Sequence, residues 1–84
     1  MNYSFKVEAI IEQKPVMVIA RTLFEGNFEF SEFPTLGNCE IKNSLSQPRA
    51  LKGDGSPDLD VYCFYLKNRK DKNRLIIGSI VELL

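Results

Sequence analysis

The chain has 84 residues, 44% of them hydrophobic and 26% charged, with 11 basic and 11 acidic residues and no His. That length supports one domain (1–84) around a single core, and the apolar content excludes wholesale disorder. A net charge of zero argues against a dedicated nucleic-acid binder, and the lack of His removes the usual general base, the usual zinc ligand and the Ser-His-Asp arrangement.

Period two dominates from the start. In "YSFKVEAIIEQ", Phe5, Val7, Ala9 and Ile11 alternate with Lys6, Glu8, Ile10 and Glu12, which predicts a half-buried strand. Lys14-Pro15 breaks it, because Pro cannot donate to a ladder. "VMVIARTLFE" is apolar on both faces at its start and reads as a central strand buried on both sides. Gly26-Asn27 is a turn signal, and "FEFSEF" alternates again until Phe33-Pro34.

"PTLGN" predicts a turn, and "CEIKN" a short strand with Cys39 and Ile41 on one face. Residues 44–57 lack clear alternation and carry Gly53, Gly55 and Pro57, which predicts a loop, with room for a short strand around Arg49 to Lys52. "LDVYCFYLKN" is the strongest strand signal, since Val61, Tyr62, Cys63, Phe64 and Tyr65 all favour a pleated surface. "RLIIGSIVELL" predicts a last strand, interrupted at Gly78 by a bulge or a tight bend. No window shows a 3.6-residue period long enough for a βαβ crossover. The expectation is an all-β fold: a small antiparallel β-barrel of six to seven strands, Greek-key-like.

The order of "FKVEAI", "VMVIARTLFEGNFEF", "CEIKN", "VYCFYLKN" and "LIIGSIVEL" resembles the β-barrel that forms the second domain of translational GTPases such as elongation factor Tu. The resemblance spans roughly residues 5–83. It departs from that family in having the single Gly26 where a glycine pair is usual, and the G-x-x-x-x-G-K-[ST] phosphate loop is absent. It implies a barrel and association with RNA or a ribosomal complex, but no nucleotide hydrolysis.

Charge is uneven along the chain. Residues 1–32 hold five acids against three bases, and residues 67–84 five bases against two acids. "NRKDKN" lies at the centre of the basic stretch and reads as a solvated hairpin connection between two strands. Its cations are also the candidate contact surface: Lys67, Arg69, Lys70, Lys72 and Arg74, joined by Arg49 and the 44–57 loop. They suit an acidic protein surface first, and a phosphate backbone second. No aromatic residue interleaves them to stack bases.

Asp54, Asp58 and Asp60 in "KGDGSPDLD" lack the order of a calcium loop, so turn-forming roles are expected of them and no metal. Phe28 and Phe30 are expected in the core, with Phe33 partly exposed. Cys39 and Cys63, with no CxxC, read as reduced buried hydrophobes; strands could also bring them together as a disulfide. With neither a signal-like opening nor an 18-residue apolar run, the expected location is the cytoplasm, and no membrane partner is expected. The functional expectation is a non-enzymatic module without cofactors. It would dock a protein partner, as adaptor or immunity proteins do, with RNA or ribosome binding as the alternative.

Overall fold

The computed structural model describes residues 3–49 and 51–84. Six antiparallel strands form one sheet: β1 (Tyr3–Ile11), β2 (Met17–Thr22), β3 (Thr35–Leu36), β4 (Cys39–Glu40), β5 (Val61–Tyr65) and β6 (Ile80–Leu83), in the order β4-β3-β6-β1-β2-β5. The sheet curls until its two edges meet. An antiparallel bridge joins Ile41 to Leu66, flanked by Lys42 N–H to Tyr65 O (2.7 Å) and Lys67 N–H to Glu40 O (3.0 Å). The fold is therefore a small all-β barrel-like structure, as the alternation predicts, and this closure removes the open edges that would otherwise invite aggregation.

The interior is filled by Phe5 and Val7 of β1, Val18 and Ala20 of β2, Leu36, Cys39, Ile41, Phe64, Leu66 and Leu83. Phe5 sits at its centre, with its ring 5.1 Å from Phe64, 5.3 Å from Phe24 and 5.2 Å from Phe28, each pair edge to face. Such pairs contribute about 0.5–1.5 kcal/mol each beyond their burial. Cys39 and Cys63 are both buried and both free.

Several local expectations are corrected. The pairing of β1 with β2 slips between Val7 and Ala9, leaving Glu8 as a bulge. The slip inverts the phase of the strand, since one extra residue moves every later side chain to the other face. Ile10, opposite Val18, therefore packs on the core, while Ile11 turns to solvent. The strand expected over 28–33 does not form. Phe28 and Phe30 do face the core, with Glu29 and Ser31 outward, but the backbone pairs with no neighbour among the described residues. One-sided burial produced the alternation there, not ladder pairing.

The turn expected over "PTLGN" is shorter. Thr35 and Leu36 belong to β3, and only Gly37 and Asn38, at φ 58° and 66°, make the turn into β4. Two successive positive φ values mark the mirror-image turn that suits a twisted hairpin. In "RLIIGSIVELL" only Ile80–Leu83 is strand; Leu75 is buried, while Ile76 and Ile77 ride exposed on the bend at Gly78. The short strand expected at Arg49–Lys52 includes Ala50, outside the described residues; Leu51 makes a lone bridge with Pro57.

The segment before β5 folds back over the outer face of β2 and β5. Arg21 on β2 donates to Asp58 with both terminal guanidinium nitrogens, at 2.8 and 3.3 Å, and to Glu8 with Nε at 2.8 Å. The bulge presents Glu8 to this cluster. Outward-facing Val61 and Cys63 are buried, and Met17 and Ile19 beside them are half-buried, so β2 is covered well on one side and partly on the other.

Candidate functional site

The basic stretch is not the plain hairpin connection expected of it. β5 and β6 are not neighbours, so the chain must cross one end of the barrel to place β6 between β3 and β1. It does so through a 3-10 helix, Arg69–Arg74. Asn68 caps the helix, its side-chain oxygen accepting from Lys70 N–H at 3.1 Å, and Asp71 supplies an acid in the first turn. Both choices favour a helix start. At the far end Leu75 N–H donates to Lys72 O, and the Leu75 side chain plugs into the core. The Cys39 thiol donates toward Asp71 O (3.7 Å), which ties the helix to β4. Burial, and then the charge of Asp71, push that thiol above its ordinary pKa, so it stays protonated and poorly nucleophilic.

This framework divides the predicted cations. Lys72 pairs with Glu12, and Arg74 lies 3.8 Å from Asp71. Their charge is largely answered within the molecule. Lys67, Arg69 and Lys70 are exposed and make no ion pair among the described residues. Arg49 is exposed on the 44–57 segment and stands apart from them, outside the groove described next.

Lys67 and Arg69 line one wall of a shallow open groove of about 370 Å³. The opposite wall is the β1–β2 connection, Gln13 to Val16, which contains the cis Lys14–Pro15 bond. Lys42, just beyond β4, completes the rim. The floor is apolar, formed by Pro15 together with the buried residues Val16 and Leu66. Backbone bonds hold the walls together: Leu66 N–H donates to Val16 O at 3.0 Å, and Lys42 N–H to Tyr65 O. Four cations from three distant parts of the chain thus surround one apolar floor, and no aromatic side chain lines it. Lys14 and Lys42 were not singled out in the sequence. Each is a lone Lys there, and only the pairing of β2 with β5 and the Ile41–Leu66 closure bring them beside Lys67.

The acidic segment resolves into separate structural roles. Asp54 accepts from the backbone and hydroxyl of Ser56, at 3.0 and 2.6 Å, which lowers its pKa. Asp58 is held below the usual carboxylate range chiefly by Arg21, and it also accepts from Asp60 N–H. Asp60 points elsewhere, into a second open cavity of about 460 Å³ shared with Leu23, Phe24, Glu25 and Tyr62. Among the described residues, no three His, Cys, Asp or Glu side chains converge as a metal ion would require. No described helix is long and apolar enough to cross a membrane. No protein-family model, no curated protein and no solved structure matches this chain.

Proposed function

We propose that this protein is a small non-enzymatic docking module whose cationic groove receives an acidic segment of a protein partner. One observation carries the reading: Lys14, Lys42, Lys67 and Arg69 converge on a single apolar-floored groove, while Lys72 and Arg74 are already paired with Glu12 and Asp71. Unpaired charge around an apolar floor suits a peptide with carboxylates along its flanks and an aliphatic side chain between them. Electrostatic complementarity of this kind raises association rates and selects against cationic partners. A phosphate backbone would also be drawn to these cations, but the groove offers no aromatic surface on which a base could stack. That favours a protein over RNA.

The test compares two probes by fluorescence anisotropy: a short Glu/Asp-rich peptide carrying Leu, and a single-stranded RNA oligonucleotide. Wild type is expected to bind the peptide, less tightly as salt rises. The triple variant Lys14→Glu, Lys67→Glu, Arg69→Glu should lose that binding, whereas Arg74→Glu should retain it. Undiminished peptide binding by the triple variant would remove the groove from the account. Tighter binding of RNA than of peptide at physiological salt would favour the RNA-associated alternative.

A further inference from the structure

The second cavity lies at the opposite end of the same strand pair. β2 and β5 are antiparallel, with Met17 opposite Tyr65 at one end and Arg21 opposite Val61 at the other. The groove is built from residues just before Met17 and just after Tyr65. The second cavity is built from residues at and after the end of β2, Thr22 to Gly26, and from Asp60 and Tyr62 around the start of β5. A six-residue strand separates the two ends by roughly 17 Å.

The two ends differ in charge. Asp60 and Glu25 are exposed at the second cavity, and neither has an ion pair among the described residues. No basic residue occurs between Arg21 and Lys42 in the chain. The ends also differ in shape. Leu23, Glu25, Gly26 and Asn27 are exposed, and a Cβ placed on Gly26 would meet nothing within 4 Å, so the tip of this bend stands clear of the barrel. A projecting acidic tip with an exposed Leu beside it is the counterpart of a cationic groove with an apolar floor.

We propose that the partner of the groove is a second copy of this chain, which inserts its Glu25–Asn27 tip between Lys14, Lys67 and Arg69 with Asp60 at the rim. This rests on the acidic-segment reading above and specifies whose acidic segment it is. The surface that docks is different on the two copies, so the contact is heterologous and propagates head to tail, as a ring or an open chain. The zero net charge of the chain fits a molecule that neutralises itself in this way.

Sedimentation velocity over a concentration series tests it. At low ionic strength the wild-type average mass should rise with concentration, and in high salt it should return to the 9.6 kDa monomer. Two variants carry the discrimination. The groove variant is Lys14→Glu, Lys67→Glu, Arg69→Glu, and the tip variant is Glu25→Lys, Asp60→Lys; all five positions are exposed, so circular dichroism should match wild type. Each variant alone should remain monomeric, its self-affinity weakened by about tenfold or more through like-charge contact. An equimolar mixture should regain association, because an intact tip on one variant meets an intact groove on the other and the reversed tip meets the reversed groove with opposite charge. If one variant fails to fold, Lys→Gln and Glu→Gln versions of the same sets repeat the mixing test. A wild type that stays at monomer mass throughout would overturn the proposal, and so would an oligomer that survives in both variants. If wild type stays monomeric yet binds the acidic peptide through the groove, the self-docking idea alone fails. If peptide binding is absent as well, the acidic-segment reading fails with it.

Discussion

Alanine at Gly37 and alanine at Gly78 impose the same kind of backbone demand in different surroundings. Gly37 has φ 58° and Gly78 φ 90°, both in the left-handed region. An L-residue held there costs about 1–2 kcal/mol. At Gly78 a new Cβ would have no neighbour within 4 Å, so that strain is the whole cost. At Gly37 the same Cβ would lie 2.9 Å from Val81 Cγ1 and 3.0 Å from Leu75 Cδ2. Val81 is β-branched and stiff, and sits on β6 opposite Phe5. Leu75 is buried and cannot step aside into solvent, and half-buried Val81 is held by its branched Cβ in the strand. Overpacking of this kind costs about 1–3 kcal/mol more. Gly37→Ala should therefore lose about 2–5 kcal/mol and Gly78→Ala about 1–2 kcal/mol. The unfolded-chain entropy that any Gly→Ala change removes is common to both and cancels in the comparison. Urea titrations of the two variants, fitted with a shared slope, measure the difference. In thermal scans each kcal/mol should appear as roughly 4–8 °C for a domain of this size. Equal losses, within about 0.5 kcal/mol, would refute the claim that Gly37 is selected by close approach of β6 and the crossover rather than by turn geometry alone.

Phe5→Ala should cost about 3–5 kcal/mol, because three edge-to-face partners and a fully buried site are lost, whereas Phe33→Ala, at 76% exposure, should stay within about 0.5 kcal/mol by chemical denaturation. Asp58→Asn should flatten the acid limb of stability. Because the folded carboxyl titrates below an ordinary Asp, the unfolded chain binds more protons in that window, so wild type holds the Arg21 contribution above ~pH 5 and loses it as pH falls through the lowered folded value. The gap between wild type and Asp58→Asn should accordingly narrow from pH 6 toward pH 3, and a gap that widens would reverse the sign. Asn68→Ala should remove the cap of the crossover helix, at about 1 kcal/mol in thermal melts, and Asn68→Asp should restore it.

How much was legible in the sequence depends on what each residue answers to. β2 and β5 were plain because most of their residues favour a pleat and their neighbours bury them. The first half of β1 was equally plain, but the bulge at Glu8 was invisible: nothing in "KVEAII" tells a slipped register from a straight one, and the adjacent pair Ile10-Ile11 satisfies either face. The 3-10 helix left a signature in Asn68 and Asp71, although six residues are too few for a helical period to stand out. Lys67, Arg69 and Lys70 were found by local density, which also drew in Lys72 and Arg74, whose partners lie just beyond the end of β1 and within the same helix turn. Lys14 and Lys42 could be recognised only after the barrel had closed, because proximity across strands is not written into local composition.

The aromatic strap over 24–33 has a consequence for what different probes of order will report. Phe24, Phe28 and Phe30 pack against Phe5, Phe64 and one another, yet among the described residues no backbone-to-backbone hydrogen bond involves residues 24–33. Side-chain order and amide protection are therefore uncoupled along this stretch. Its amides should exchange with solvent deuterium far sooner than those of β1 or β2, while its rings turn slowly enough to broaden their resonances. A map drawn from exchange alone would describe as loose the segment that seals one end of the core.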